Sequence, residues 1–565
     1  MNARGAFVST LASFASSGLF YVGGQIVIHI AHLSLVALRA RTTFAALALI
    51  ASTAALAAPG DLDSSFGSGF GRVRTPVAEV YGSIQSSGSG ERLRMPSIVL
   101  QPNGKIIVAA GCKTTGSTWD LCVVRYNANG SLDDSFGVAG LAVTDMRGTD
   151  DYIAGVVLQA DGKIVVAGSC TETASSGTGE DFCLMRLSTN GVLDTTFATA
   201  GKAFTSIRDF DDTATGVALQ ADGKIVVTGA CAASTSTNSG VEACVARYTA
   251  AGVLDTSFSS DGKLIVRASG VVTPINVYNQ ANSVAISADG KIVIAGSSGY
   301  FPDTSLRIAR ILGNGTIDNT FSGDGVATIN PATGWLFAQA LTIQPDGQIL
   351  VTGLRVNGQC GGPTECIVVL RFTETGVLDT TFGVSGTASL DATNACFSYA
   401  RTVALQSDGK IVLTGDCRPN GNSVKFSYAR LHGDGSIDKT FATNGFGSIG
   451  ESGNFDYGTR AVMQPDGKIV QVGACFGSNT SAFCLARYEG GPFGARNCTL
   501  DIDGDGSITA TVDSLIHARV ALGMTGSAVI GGISFPANAT RDQWGTNTSR
   551  DIRRYLIAQC GMSLQ

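Results

Sequence analysis

The residues with the plainest chemical pattern lie near the C-terminus. Asp501-Ile502-Asp503-Gly504-Asp505-Gly506-Ser507-Ile508-Thr509 puts carboxylates at loop positions 1, 3 and 5, glycine at 6 and an apolar residue at 8. Carboxylates at that spacing converge on a hard cation. The glycine makes the sharp turn, and the carbonyl at position 7 adds a ligand, so the expected chemistry is Ca2+ binding. The expected metal ligands are Asp501, Asp503, Asp505, Ser507, Thr509 and Asp513. Position 12, where an acid belongs, is Val512, so either a one-residue bulge brings in Asp513 or water completes the shell. Residues 512–522 read as an amphipathic helix and 550–559 as a second one.

Residues for catalysis are sparse. Only His432 and His517 follow the first 57 residues, too few for a histidine-rich metal centre, and no Gly-x-Ser-x-Gly elbow sits between a strand and a helix. The pairs Asp150-Asp151 and Asp211-Asp212 could serve a glycosidase, which needs two facing carboxylates. They lie in polar stretches, where a solvated aspartate is the default. No catalytic residue and no organic cofactor is assigned.

The elements that must position any site are set by a repeat. Asn103-Gly104-Lys105, Asp161-Gly162-Lys163, Asp222-Gly223-Lys224, Asp289-Gly290-Lys291, Asp346-Gly347-Gln348, Asp408-Gly409-Lys410 and Asp466-Gly467-Lys468 recur 57 to 67 residues apart. Each is flanked by apolar, β-branched residues, the pattern of a hairpin. Each repeat has a short apolar strand, the Asp-Gly turn and a second strand, then a loop of variable length. A third strand ends in Arg (125, 186, 247, 310, 371, 430 and 487), and a Leu/Ile-Asp-x-x-Phe turn leads to a fourth strand. Four strands per unit of this length predict a propeller blade.

The ends of the chain are offset by part of a repeat. Leu62 to Phe66 precedes the first hairpin, and no such turn follows Arg487-Tyr488. A strand near residues 71–77 can therefore complete the blade whose other strands run from about 460 to 488. Ring closure of this kind removes exposed sheet edges, which an open solenoid would not need. Residues repeated in every copy read as architecture: the turn Asp accepts backbone amides, the Leu and Phe fill the space between blades, and the Arg pairs with the Asp or stacks on the Phe. Function is expected in what differs between copies, chiefly the loops after the second strand, where Trp119 and Tyr300-Phe301 could stack on sugars.

Composition points to an exported chain. Net charge is −6 with no basic run, which excludes an electrostatic footprint for nucleic acid. Arg39 and Arg41 precede an apolar run, Phe44 to Leu56, and a small-residue cleavage site at Ala55-Leu56-Ala57, the layout of a signal peptide covering about 38–57. A membrane segment at 19–38 is the competing reading of the extreme N-terminus. All 14 cysteines follow it. Five lie seven residues after the third residue of a hairpin turn, and four lie three residues before a repeat Arg. Register therefore predicts Cys112–Cys122, Cys170–Cys183, Cys231–Cys244 and Cys475–Cys484. Cys396 is the candidate partner of Cys417, Cys360 of Cys366, and Cys498 of Cys560.

The pattern Leu-Asp-x-x-Phe-Gly, Gln-x-Asp-Gly-Lys-Ile-Val-Val-x-Gly and Arg-Tyr-x-x-x-Gly resembles the delta-60 repeat of exported bacterial proteins over about residues 61–490. That resemblance implies a β-propeller-like surface protein and no defined reaction. The Asp501 loop resembles a single dockerin-type, EF-hand-like repeat. Dockerins carry two such loops, so cohesin binding is not implied.

The expected fold is thus all-β: a seven-bladed propeller of four-stranded blades plus a small α-helical calcium-loop module. The domains are 1–57 (extension and signal peptide), 58–490 (propeller) and 491–565 (calcium module). The leading functional expectation is a non-enzymatic, monomeric, secreted or cell-surface protein that binds a glycan or an extracellular protein through its variable loops. It has no transmembrane segment in the mature chain. The alternative is an extracellular carbohydrate-active enzyme with a carboxylate site on the propeller face. Calorimetry with calcium checks the C-terminal loop: saturable heat is expected for the wild type and its loss for Asp503→Ala, and no heat in either refutes the site.

Overall fold

The computed structural model describes residues 58–490 apart from short stretches, the longest being 81–94, and beyond them chiefly 512–521 and 529–536. The expected signal peptide lies outside the described residues. Among those described, no helix is long and apolar enough to cross a membrane.

Each repeat forms an antiparallel sheet. In the second blade the strands are Asp151–Leu158, Ile164–Thr171, Glu180–Leu187 and Lys202–Thr205, hydrogen-bonded in that order. The two middle strands are covered on both faces by neighbouring blades. Their sequences therefore run almost unbroken in apolar residues instead of alternating. The Asp-Gly turn closes the first hairpin: Gly223 has φ of +82°, and Asp222 Oδ1 accepts the Lys224 amide at 3.2 Å. Seven blades follow one another. A parallel bridge from Val241 to Tyr278 joins the third and fourth into one eight-stranded sheet.

The ring closes as the offset ends require. Arg72–Pro76 pairs antiparallel with Ser481–Tyr488, from Arg72 opposite Ala486 to Pro76 opposite Ala482. The seventh blade is thus built from both ends of the described propeller. Its sheet order is Arg72–Pro76, Ser481–Tyr488, Ile469–Phe476, Phe455–Met463.

The repeated Arg, Asp and Phe form one clamp per blade. In the third blade Arg247 Nε donates to Asp255 Oδ2 at 2.9 Å, its guanidinium lies 4.7 Å from the Phe258 ring, and Nη1 donates to the Gly313 carbonyl of the fourth blade at 2.6 Å. Asp255 Oδ1 in turn accepts the Ser257 amide at 3.1 Å. The expected pairing and the expected stacking are therefore both present. The clamp at the closure is made across the chain ends: Arg487 donates to Asp63 at 2.6 Å and to the Ala128 carbonyl at 2.6 Å, and its guanidinium lies 4.6 Å from Phe66. Burial alone would raise the Asp63 carboxyl; bonds from Lys468 and Ser65 and the Arg487 charge overcome it and hold the carboxyl well below the usual range.

Four disulfides join the second and third strands: Cys112–Cys122, Cys170–Cys183, Cys231–Cys244 and Cys475–Cys484, with Cα atoms 5.8 to 6.0 Å apart. The register is diagonal and not directly opposite: Cys170 faces Asp181, and Cys183 faces Gly168. Cys366 and Cys417 are also disulfide-bonded. Their expected partners Cys360 and Cys396, and the Cys498–Cys560 pair, fall outside the described residues.

The expected C-terminal helical calcium module is corrected. The fold is all-β, and among the described residues of the segment the longest helix is the nine-residue Asp513–Ala521. Its apolar face forms a small cluster of Val512, Ile516, Ile502, Val529 and Ile552, and residues 529–536 are turn and coil. The reading of a helix over 550–559 falls, but for Ile552, outside the described residues.

Arg247→Ala leaves Asp255 buried beside Lys224 alone and cuts the link to the next blade. Urea unfolding should show a loss of about 3 kcal/mol. A loss under about 0.5 kcal/mol would mean that the clamp contributes nothing net.

Candidate functional site

Antiparallel blades give the ring two different faces. The Asp-Gly turns and the Leu-Asp-x-x-Phe turns share one face. The variable loops and the starts of the first strands share the other, the entrance face. The first strands line a central cavity of about 220 Å³. From the second blade to the seventh, each carries a register shift at the same place, such as Ile153/Gly155, Ala400/Thr402 and Gly458/Ala461. A bulge there re-aims side chains towards the axis. The bulged backbones are tied to their neighbours: Asn282 donates to the Ala338 carbonyl at 2.8 Å and Thr459 to the Pro96 carbonyl at 2.7 Å.

Seven residues in equivalent positions, each six before the Asn or Asp of the hairpin turn, line this cavity: Ser97, Gly155, Gly216, Ser283, Ala340, Thr402 and Arg460. Six are small, so the one long cation stands alone in the ring. Arg460 makes no ion pair with a described carboxylate. Burial and the neighbouring Arg401 both lower its pKa.

Arg460 belongs to a polar group on the sixth and seventh blades. Arg401 Nε donates to the buried Asp416 at 2.8 Å, and its guanidinium lies 4.6 Å from the Tyr399 ring. The exposed Arg418 reaches the same ring at 5.7 Å. Tyr457 feels Arg418, Asp416 and Arg401, but burial is the largest influence and raises its pKa, keeping the phenol protonated. Of Arg401, Arg418 and Arg460, only Arg401 makes an ion pair with a described carboxylate, Asp416, on a chain of net charge −6. The group can bind an anion between forked donors, stack a ring on tyrosine and donate a proton from Tyr457.

Sequence reasoning passed over all of these residues because it sought differences in the loops. The signal was in the first strands: aligned on the hairpin turn, the position of Arg460 is otherwise Ser, Gly, Ala or Thr. Of the loop aromatics, Trp119 is half-buried with the Lys113 ammonium 4.7 Å from its ring, while Phe301 and the Tyr300 side chain lie outside the description. Among the expected calcium ligands, Asp501, Asp503, Asp505 and Ser507 lie outside the described residues; Thr509 and the Asp513 backbone, at the helix start, are described.

The acidic pairs are not solvated loops. Asp151 and Asp212 are fully buried at the starts of the first strands of the second and third blades. Asp151 accepts the Met146 amide at 2.8 Å, and Asp212 accepts the Ile207 and Arg208 amides at 2.6 and 2.9 Å. Burial pushes both carboxyls up to about 7, despite these bonds; Asp145 and Asp120 push Asp151 further, and Asp181 does the same to Asp212.

Six segments, 101–136, 159–197, 220–258, 287–321, 344–382 and 406–441, match the family described as "Domain of unknown function (DUF5122) beta-propeller". Each runs from a hairpin to the Phe of the following turn. The seventh copy is divided between the propeller's two ends and so has no continuous segment to match. No curated protein matches the chain. Solved structures with a similar trace include an ulvan lyase of polysaccharide lyase family PL25 (9% identity, TM-score 0.43, 74% of this chain and 94% of that one). Two others are the NanB sialidase of Streptococcus pneumoniae (9%, 0.36, 73% and 70%) and the Trypanosoma rangeli sialidase (10%, 0.36, 83% and 66%).

Asp212 supplies a pH test. Its folded pKa of about 7 lies above the unfolded 3.8, so the native state holds a proton that the unfolded state releases. Its contribution to stability is therefore full below the unfolded value and falls as pH rises towards 7. Asp212→Asn should gain stability over wild type by roughly 1–2 kcal/mol at pH 8 and much less at pH 4 in thermal melts. A gain independent of pH would contradict the assignment.

Proposed function

The chain is a β-propeller repeat protein, and we propose that it acts outside the cell on an acidic saccharide held at the entrance of its central cavity. The observation that carries this reading is Arg460, the single long cation in a ring of small residues, with no described carboxylate to balance it. An uncompensated guanidinium in a half-buried position costs stability, so a purely structural role gives no reason to keep it. A carboxylate or sulfate ester on the ligand supplies the missing charge through two parallel N–H donors. Tyr399 and Tyr457 supply apolar faces of the kind that sugars stack on.

Of the two expectations from sequence, action on carbohydrate is favoured over loop-mediated binding. The support is Arg460 in the cavity ring, with Arg401 near enough to act on its charge, and with Arg418, Asp416 and Arg401 all acting on Tyr457. Arg460, Arg401 and Arg418 hold the anionic group. Tyr457, kept protonated by burial, is the proton donor beside them. Recognition without turnover is the second reading, favoured by the tie between Asp416 and Arg401, which leaves that carboxylate engaged. Export is supported by the disulfides, which persist in oxidising compartments. The C-terminal Asp501 loop is proposed as a separate Ca2+ site on its sequence pattern.

The test is titration with uronate-bearing, sialylated, sulfated and neutral oligosaccharides, followed by product analysis after long incubation. Acidic oligosaccharides should bind and neutral ones should not. Arg460→Ser, which restores the residue of the first and fourth blades, should weaken binding at least tenfold, about 1.4 kcal/mol, while leaving the melting temperature equal or higher. Equal binding of acidic and neutral sugars, or no effect of Arg460→Ser, would sink the proposal. Binding without cleavage would select the second reading.

A further inference from the structure

We propose that Asp120, Asp145 and Asp151 hold a calcium-class cation at the junction of the first and second blades, separate from the C-terminal loop and independent of the saccharide reading. Asp120 begins the third strand of the first blade, Asp145 follows that blade's last strand, and Asp151 begins the next blade. One carboxylate oxygen from each lies within 4.8 Å of the others. Oxygens around one calcium ion at 2.3–2.6 Å are up to about 5 Å apart, so the spacing suits a shared ion.

Acidic clusters are common; this one holds a buried oxygen with nothing to bind, as Asp212 does at the next junction, but here no arginine among the described residues bonds any of the three acids. Asp151 is 0% exposed; Oδ2 takes the Met146 amide, and Oδ1 has no hydrogen-bond partner. Asp120 Oδ1 is likewise buried and without a hydrogen bond. Both atoms have lost water and gained no donor, which costs free energy unless a cation completes them.

The repeat provides a comparison. The equivalent positions are Asp181, Ser206 and Asp212 at the next junction, and Glu242, Arg267 and Asn279 at the one after. There the acids meet guanidinium: Arg147 bonds Asp181 at 2.9 Å, and both Arg208 and Arg267 bond Glu242. At the first junction the nearby cations are committed elsewhere. Lys202 Nζ donates to the Asp145 and Met146 carbonyls at 2.6 and 3.4 Å, Lys113 sits over Trp119, and Arg147 faces Asp181 and Phe204. Asp150, next to Asp151, accepts the Trp119 amide at 3.0 Å. All-oxygen donors of this kind select a hard divalent ion over zinc or copper.

Trp119 adjoins Asp120 and can sensitise a bound lanthanide. Full-length protein stripped with chelator is titrated with terbium, with emission read under tryptophan excitation and calcium used as competitor. Wild type and Asp503→Ala should both show saturable emission that calcium displaces, and Asp145→Asn should lose at least nine-tenths of it. Asp145 is exposed, so this variant should keep the wild-type melting temperature in chelator. Emission unchanged in Asp145→Asn, emission abolished in Asp503→Ala, or no uptake by wild type would each overturn the site.

Discussion

One contact is repeated until it closes a circle: an arginine at the end of each blade's third strand, held by an aspartate eight residues on in six blades and, at the closure, by Asp63 from the other end of the propeller. Its guanidinium plane is used completely. Nε goes to the carboxylate, Nη2 to a Ser or Thr hydroxyl, Nη1 to a carbonyl of the next blade, and the flat face to a Phe, as for Arg310 with Asp318, Thr320, the Glu374 carbonyl and Phe321. A lysine could offer neither the fork nor the stacking plane. The Asp is pre-bonded by the turn amide, so the pair costs little additional ordering. The same contact sets the spacing between blades. A Cβ added at Gly252 would lie 2.4 Å from the Phe197 ring, so the glycine two residues before the Leu-Asp turn leaves room for the preceding blade's phenylalanine, as Gly130, Gly191, Gly376 and Gly435 also do.

Because each blade satisfies itself on the turn face, the entrance face is free to carry groups that are not satisfied. Arg460 faces the cavity without a described counter-ion, and Asp151 and Asp212 keep buried oxygens without hydrogen-bond partners. Each such group would be a serious liability in a marginal fold. Within a closed ring with seven clamps and at least four disulfides, the cost is carried by the whole assembly. Local violations of polar satisfaction gather where a ligand can complete them.

What could be read from the chain follows the same division. The hairpins, the closure by residues 72–76 and the four Cys pairs were legible because repetition separates register from accident. Cys112 and Cys170 share an offset that a lone pair of cysteines could not have revealed. The site was legible only in part. Arg460 is an ordinary arginine until seven first strands are aligned, and even then sequence alone does not say that the position faces the axis; the bulge does that. In sequence Asp212 looks solvated because polar neighbours surround it, whereas the Ile207 and Arg208 amides fold back over it in space.

The two faces also explain why a repeat protein can acquire one site and not seven. A group present in every copy is committed to the clamps, where changing it would loosen a blade interface. A group in the ring around the cavity shares it with six near-equivalents, all small, and a single substitution there changes the chemistry of the whole opening. Arg460 occupies the position held by Thr402 in the preceding blade and Ser97 in the following one. Its guanidinium has room because the other six residues have none of comparable length. The smallness of the ring is therefore as much a part of the site as the charge it surrounds.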